Sequence, residues 1–578
     1  MKGRRIAIVG GVAGGAGAAT RARRMDEYAE VVVFERGPYV SFANCGLPYY
    51  VGQDIVDRET LLLQTPQDFR NRFGIDVRTG HEAVDIDPGH RTLLVRGPGG
   101  HESVEYDALV LAPGARPIAL PALEMGAENV FGIHTVPDAD RLMAFLGRRS
   151  GTRAAVVGSG FIGLEMVEAL LGHGVDVTLI ERERQVLPPF DAEMTTHLRL
   201  HLEAMGVRVL IGDAVQDADI ATGDDGQPIV RALRLASGNL VPIDFAVIAA
   251  GVRPDVTLAT RAGLRLGPTG AIHVDSELRT SQETIWAAGD AVEKRDRVTG
   301  REAWWALAGP ANKEARVAGT NAAGGHRVMP ASLGTAIVRV EGLTAAKTGL
   351  SARDAKRLGI RFRETVTVNG HHASYYPGAE DLVIKLVSDW ATGRVLGAQV
   401  IGRSGVDKRV DVIATAITAQ MKVLDLADLD LAYAPPFASA KDPVVMAGMV
   451  AENALRGEIG SVTPDELDRM LGTPGAVTLL DVRRDDEKAE GAIPGAMHIP
   501  LDQLRERADE VPGDRTVVVY CRSGHRSYIA VRLLAQRGSP AINLTGGYLY
   551  WQAWQGSKAA PGPRASGDAV PVAGPTGA

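Results

Sequence analysis

The sequence of 578 residues predicts an α/β protein in which one parallel-sheet, dinucleotide-binding design occurs twice, followed by an α+β domain and a smaller α/β domain. Three observations carry this. Up to about residue 320, short β-branched runs alternate with helical stretches and glycine turns, the pattern of βαβ units. The strand and turn Ile6-Ala-Ile-Val-Gly10 is repeated as Ala154-Ala-Val-Val-Gly158, so a second dinucleotide domain is expected, nested inside the first. Between 332 and 450 the pattern changes to alternating strands (Thr335–Val340, Leu382–Val387) followed by helices, and Thr463-Pro-Asp-Glu reads as a new helix start, with Thr as cap and Pro at the first position. The expected segments are 1–150 and 271–330 for the first dinucleotide domain, 151–270 for the second, 331–457 for the α+β domain and 460–556 for the last. The stretch 557–578, rich in Pro, Gly and Ala, is expected to be disordered.

Composition narrows the functional classes. Hydrophobic residues are 45% and charged residues 23%, ordinary for soluble domains. A net charge of -7 supplies no basic field for nucleic acid, which is excluded as a partner. Met1-Lys-Gly-Arg-Arg5 runs straight into a strand, so no cleavable signal is expected, and no apolar run approaches the roughly 20 residues that span a bilayer. Only two cysteines, Cys45 and Cys521, occur. They give no disulfide framework, and a reducing cytoplasm is the expected compartment. No metal site is expected.

The first glycine turn, Gly10-Gly-Val12-Ala13-Gly14-Gly15, follows a strand and precedes the helix around Ala18 to Met25. Its backbone amides suit a pyrophosphate, although Val12 stands at the usual second glycine. The next strand ends at Glu35, where a carboxylate reaches an adenosine ribose. The second turn, Gly158-Ser-Gly160-Phe161-Ile162-Gly163, is a complete fingerprint, with Glu181 closing the following strand. A carboxylate there accepts from the ribose 2′-hydroxyl and repels a 2′-phosphate, which favours NADH over NADPH; Arg182 and Arg184 close by temper that preference.

Two distant segments, Tyr106-Asp-Ala-Leu-Val-Leu-Ala112-Pro-Gly114 and Thr284-Ile-Trp-Ala-Ala-Gly289-Asp290, complete a resemblance to the two-dinucleotide-domain flavoprotein disulfide reductases. That resemblance implies Rossmann-like domains for FAD and NADH, with Asp290 against the ribityl and phosphate region of FAD. It also implies cofactor contacts from Arg36, Asn44, Ala112, Gly114, Gly251, Gly289 and Ala308.

Dithiol reductases of this class need a second cysteine a few residues from the first, and Cys45 has none. It must cycle alone between thiol and persulfide, mixed disulfide or sulfenic acid. Ser41, Asn44, Cys45, Gly46, Pro48 and Tyr49 resemble the single-cysteine branch of coenzyme A disulfide and persulfide reductases; NADH oxidases and peroxidases share part of the pattern. The resemblance implies CoA contacts from Arg21, Arg23, Ser41 and Asn44. It also reads His372-Ala-Ser-Tyr375-Tyr376-Pro-Gly378 and Leu431-Ala-Tyr433-Ala-Pro-Pro-Phe437 as dimerisation-domain segments that carry tyrosines to the other subunit of a homodimer. Tyr433 is the better candidate for a phenol beside the reacting sulfur, with Tyr376 or Tyr375 as the second, the sequence not separating the last two. Flavin and nearby dipoles are expected to lower the Cys45 pKa.

Residues 460–555 resemble a rhodanese domain in Leu479-Leu-Asp-Val-Arg483, Gly491-Ala-Ile-Pro-Gly, the loop Cys521-Arg522-Ser523-Gly524-His525-Arg526-Ser527 and Gly546-Gly-Tyr-Leu-Tyr-Trp551. The loop follows a buried strand and opens a helix, so its N–H groups cradle an anion, with Arg522 and Arg526 expected to add positive charge. Four residues separate Cys521 from Arg526, one fewer than phosphate-binding Cys-x5-Arg loops, which favours sulfur. The expected function is an FAD-dependent NADH:persulfide or polysulfide oxidoreductase acting on CoA persulfide and releasing sulfide, with sulfur transfer at Cys521. CoA-disulfide reduction and NADH oxidase or peroxidase activity are the alternatives.

Overall fold

The computed structural model describes residues 3–123, 126–147, 152–223 and 226–558. Its first sheet is parallel, with strands in the order Ile285–Ala287, Ala108–Leu111, Arg5–Val9, Glu30–Glu35 and Asp76–Thr79. Ile6, Ala7, Ile8 and Val9 are all buried because a parallel strand is covered on both faces and must be apolar at every position. The helices Ala13–Met25 and Ala308–Ala322 lie side by side on one face. They approach closely because small residues meet: a Cβ at Gly319 would sit 2.3 Å from the Ala18 carbonyl oxygen.

The second sheet repeats the design, in the order Arg208–Ile211, Asp176–Glu181, Arg153–Val157, Phe245–Ile248 and Val130–Gly132, again all parallel. Each unit carries a three-stranded antiparallel appendage, Glu82–Glu105 in the first and Val215–Pro242 in the second. The division expected at 150 and 270 is displaced. Val130–Gly132 pairs with Phe245–Ile248, and the helix Val136–Leu146 packs its Val136, Ala139 and Leu142 into the second core, so the chain enters the nested domain before residue 130. It returns through Val252–Pro254, which pairs antiparallel with Ala115–Pro117, and Leu258 and Leu264 already belong to the first core. The two-stranded crossing is the connection between the domains; sequence periodicity could not assign its short strands to either sheet.

The third domain is a five-stranded antiparallel sheet, Ala336–Val340, Leu343–Gly349, Val395–Gly402, Asp381–Asp389 and Phe362–Gly370. The helices Val406–Thr418 and Pro443–Leu455 pack against it. The last domain is a parallel sheet in the order Gly460–Val462, Ala541–Leu544, Thr516–Tyr520, Val477–Asp481 and Met497–His498. Its first helix, Pro464–Leu471, begins at a capping box in which Thr463 and Glu466 satisfy each other's backbone N–H. The expected tail is shortened at its start, since Ser557 and Lys558 complete the helix Gly547–Lys558; the remainder lies outside the described residues.

The last domain is fastened to the nested and third domains at one seam. Helix Gly547–Lys558 lies along Ala192–Ala204 of the nested domain, and Thr545 accepts the Val366 N–H through its hydroxyl at 2.9 Å. At the centre is Lys385, 2% exposed, whose ammonium lies 3.0 Å from Asp191, 2.5 Å from Glu193 and 2.9 Å from Glu364. The Tyr550 hydroxyl donates to the same Glu193 at 2.9 Å. Burial alone would depress the Lys385 ammonium; the surrounding carboxylates reverse that and hold it well above its ordinary value. Among the described residues, no helix is long and apolar enough to cross a membrane.

Candidate active site

The two glycine turns superimpose in function down to single atoms. Gly10 and Gly158 have φ of +92° and +106°, a region open to glycine. A Cβ at Gly15 would lie 1.7 Å from the Gly10 carbonyl oxygen, and one at Gly163 would lie 1.9 Å from that of Gly158. Gly15, rather than Gly14, is therefore the counterpart of Gly163. Glu35 accepts the Gly11 N–H at 2.7 Å and the Gly37 N–H at 2.7 Å. Glu181 accepts the Ser159 N–H at 2.8 Å and the Glu183 N–H at 2.8 Å in the same way. Each carboxylate is held rigid against its turn, with acceptor capacity left for a ribose.

A cavity of about 610 Å³ runs from the first turn across the sheet edge. Gly10, Val12, Ala13, Gly14, Glu35, Arg36, Asn44, Ala112, Gly114, Gly289 and Asp290 all line it. The residues fit a dinucleotide flavin: Asp290 Oδ1 is buried without a partner, the position of an acceptor that awaits a ligand hydroxyl. Burial also raises the Asp290 carboxyl. Beside it, Lys294 donates to the Gly289 carbonyl at 2.9 Å, and Glu314 accepts the Gly289 N–H at 2.8 Å, fixing the loop from below. Helix Ala308–Ala322 contributes Ala311 to the wall in place of Ala308, and the Gly251 carbonyl accepts the Ile118 N–H in the interdomain crossing, away from this wall.

At the second turn, a Cβ on Gly160 would meet nothing within 4 Å, so the turn opens onto free space. Ile162 faces that side at 38% exposure, one residue after Phe161 begins the helix Phe161–Gly172.

Cys45 sits in a single turn, Asn44–Gly46, that runs into the helix Leu47–Val51. Ser41 just before it is held at φ +49°, a left-handed conformation costly for a serine and of the kind kept at functional sites. The Cys45 residue is exposed, with Sγ 3.7 Å from Asn44 Oδ1. The protein by itself raises its thiol: desolvation by the surrounding protein contributes most, and the carboxylates of Glu165 and Asp290 add to it.

Sequence reasoning missed Glu165, two residues beyond Gly163 on the helix that carries the second turn. Tyr49, four residues beyond Cys45, donates to Glu165 Oε1 at 3.2 Å. Burial pushes the Glu165 carboxyl up to about 7 and the Tyr49 phenol up to about 12. The motif Gly158–Gly163 could have pointed to Glu165, but only folding places it beside Cys45.

Two residue assignments change. Arg23 is buried and its guanidinium donates to the carbonyls of Phe73, Asp26, Glu27 and Gly74; every face is used to fasten its helix, and it is withdrawn as a CoA ligand. Arg21 bonds Thr320, and burial together with Arg316, Arg24 and Arg327 depresses it, marking a cationic patch that its sequence neighbours do not reveal. The Tyr375 hydroxyl lies 2.8 Å from that of Tyr433, whereas Tyr376 turns its ring against His372, with centroids 5.5 Å apart. Tyr375 is thus the partner of Tyr433. Tyr375 and Phe437 are 74% and 71% exposed on one surface of the third domain.

In the last domain, Cys521 is buried at the end of Thr516–Tyr520. The Gly524 N–H donates to its Sγ at 3.1 Å, and the Ser527 hydroxyl lies 3.5 Å away. Gly524 caps the helix His525–Gln536 at φ +103°, so the helix dipole points at the sulfur. Ser523 precedes that cap and His525 opens the helix. Arg526 lies within electrostatic reach of Cys521, but its donors are engaged by both oxygens of Glu487 at 2.6 Å, and Arg522 reaches Asp381 of the third domain at 2.6 Å.

Comparison with known proteins agrees with this arrangement. Residues 4–315 match the pyridine nucleotide-disulphide oxidoreductase family, 335–444 its dimerisation domain and 463–553 the rhodanese-like domain. The NAD(P)H coenzyme A polysulfide/persulfide reductase of Pyrococcus horikoshii is 34% identical over 77% of this chain and 98% of its own. The crystal structure of reduced Bacillus anthracis CoADR-RHD is similar at 41% identity and a TM-score of 0.91, covering 96% of this chain and 98% of that one. The NAD-dependent persulfide reductase from A. fulgidus is similar at 37% identity and a TM-score of 0.87, covering 95% and 100%. With two glycine-turn α/β units and two cysteines in separate domains, the protein belongs to the pyridine nucleotide-disulphide oxidoreductase family and carries a C-terminal rhodanese-like domain.

Proposed function

We propose that the chain is an NADH-dependent reductase of CoA persulfide, and of polysulfide delivered as persulfide, that releases sulfide. The observation that carries this is the pairing of an exposed, solitary Cys45, next to Asn44 of the cavity wall, with a second solitary cysteine, Cys521, in a sulfur cradle on another domain. No internal dithiol connects them, so a mobile thiol must. FAD, when bound, supplies the two-electron relay from NADH. The Cys45 thiolate attacks the sulfane sulfur of the CoA persulfide; its S–S bond breaks, CoA leaves as the thiol after taking a proton, and Cys45 persulfide accepts two electrons and one proton to give thiolate and hydrosulfide.

Glu165 and Tyr49 hold the exchangeable proton of this site. A carboxyl that titrates at about 7 both gives and takes a proton under neutral conditions. Arg21, Arg24, Arg316 and Arg327 supply positive charge for the phosphate end of CoA. Asn44, beside Cys45, orients the sulfur. Glu181 selects NADH. The exposed Tyr375–Tyr433 pair and Phe437 form part of a homodimer contact that brings these phenols to the partner's sulfur site. CoA-disulfide reduction uses the same cysteine but leaves the cradle at Cys521 without work.

The test is NADH oxidation with sulfide detection, comparing CoA persulfide, CoA disulfide, glutathione persulfide and oxygen as acceptors. CoA persulfide should be turned over fastest, and Cys45→Ser should abolish turnover while NADH still bleaches the flavin. Faster turnover of CoA disulfide or oxygen, or persulfide turnover by the serine variant, would overturn the proposal.

A further inference from the structure

The Cys521 loop has a charge balance unusual for an anion site. Its cradle, one N–H at 3.1 Å and one hydroxyl at 3.5 Å from Sγ, together with a helix N-terminus, is sized for a single negative charge on sulfur. Both loop guanidiniums are already committed. Arg526 is engaged fork to fork by Glu487, in a pair only 27% and 13% exposed, and that contact depresses the Glu487 carboxyl to about 2. Arg522 is paired with Asp381 across the domain seam. The next arginines in the domain are no freer: Arg483 is buried against Asp481, and Arg484 is held by Asp486.

Resting on the sulfur-transfer reading above, we propose that Cys521 takes its sulfane sulfur from organic persulfides and discriminates against thiosulfate, with Glu487 as the specificity-determining residue. The chemistry of the two donors separates them. With a persulfide, R–S–S⁻ and Cys521–SH give R–SH and Cys521–S–S⁻: the donor S–S bond breaks, a new one forms at Cys521, the cysteine proton goes to the leaving thiol, and one negative charge persists throughout. With thiosulfate, S2O3²⁻ and Cys521–SH give HSO3⁻ and Cys521–S–S⁻. A second charge must be met at the leaving sulfite, and meeting it requires a free guanidinium. Here that means breaking the bidentate Arg526–Glu487 pair. The Arg522–Asp381 pair is 47% and 45% exposed, so it yields more easily and discriminates less. The sulfur-transfer site is thereby tuned to the same class of donor that Cys45 reduces.

The experiment measures thiocyanate formed from cyanide by the full chain, without NADH, using thiosulfate or glutathione persulfide as donor, with Cys521→Ser setting the uncatalysed background. The expected kcat/KM is higher for glutathione persulfide by about tenfold or more. Glu487→Gln should raise the thiosulfate value about tenfold, the worth of one charge-assisted contact, and change the persulfide value by less than about threefold; Asp381→Asn should act in the same direction but less. Thiosulfate serving as well as the persulfide in the unaltered chain overturns the proposal. So does an unchanged donor ratio in Glu487→Gln that retains its bound flavin; if that variant does not fold, Asp381→Asn and the ratio in the unaltered chain decide. Transfer from neither donor overturns it too. Because this assay reads Cys521 alone, loss of NADH-driven sulfide release at Cys45 fails separately.

Discussion

Replacing Glu181 by Gln isolates the charge proposed to select the nicotinamide cofactor. Glu181 is 8% exposed. Its Oε2 accepts from both the N–H and the hydroxyl of Ser159 at 2.8 Å, and its Oε1 accepts the Glu183 N–H at 2.8 Å. A carboxylate offers about four acceptor positions, so one on Oε1 remains for a ribose hydroxyl. Gln keeps the shape and an oxygen for Ser159, turns its amide toward the ribose, and leaves the part-buried Glu183 N–H to water. For NADH, a charge-assisted hydrogen bond becomes a neutral one, a loss of about 1–1.5 kcal/mol, or roughly tenfold in kcat/KM. For NADPH, the variant removes a carboxylate–phosphate repulsion of about 4 kcal/mol per charge pair at contact distance. Even a third of that is a further tenfold. The ratio of kcat/KM for NADH to that for NADPH should therefore fall about 100-fold, measured with one persulfide acceptor on protein that retains its flavin and its melting temperature. A ratio that moves by less than about threefold would show that this carboxylate does not read the ribose.

Lys385→Met leaves the buried Asp191 and the half-buried Glu193 and Glu364 together without a cation, which should cost about 3–5 kcal/mol in the first urea transition and recover as pH falls and the carboxyls protonate; a loss below about 1 kcal/mol would contradict the role given to this cluster. Glu165 has an ordinary pKa of 4.5 and titrates at about 7 in the fold, so the folded chain holds its proton longer than the unfolded one. The stability this contributes, about 3 kcal/mol, is present below pH 4.5 and lost progressively as pH rises through 7. Glu165→Gln should flatten that slope in denaturation series run from pH 4 to 8. The same variant should shift Cys45 alkylation to lower pH, since it removes a negative charge facing the thiol; an unmoved alkylation profile would separate the two groups.

The local motifs were legible because they depend on backbone geometry within a few residues. Gly10, Gly158 and Gly163 answer to φ and to close approach within their own turns, and Thr463-Pro-Asp-Glu466 closes its own capping box, so each could be read without knowing the fold. The alternation of strands and helices likewise gave two parallel sheets, an antiparallel third and a last α/β unit. Domain limits were less legible: Val130–Gly132 and Val252–Pro254 are three-residue strands whose sheet membership is set by partners more than 100 residues away.

The sequence by itself determined that this chain handles dinucleotides and sulfur, and that its two cysteines lie in separate motifs. Only the tertiary structure decided what surrounds them. It gave Arg23 to carbonyls of its own domain, Tyr433 to Tyr375, Arg526 to Glu487 and Arg522 to Asp381, and it set Glu165 against the cysteine loop. The physical reason is the same in each case: a charge or a phenol acts through whatever lies within a few ångströms of it, and apart from the Asp26 and Glu27 carbonyls on Arg23 those neighbours come from sequence separations of 39 to 141 residues that no local pattern encodes.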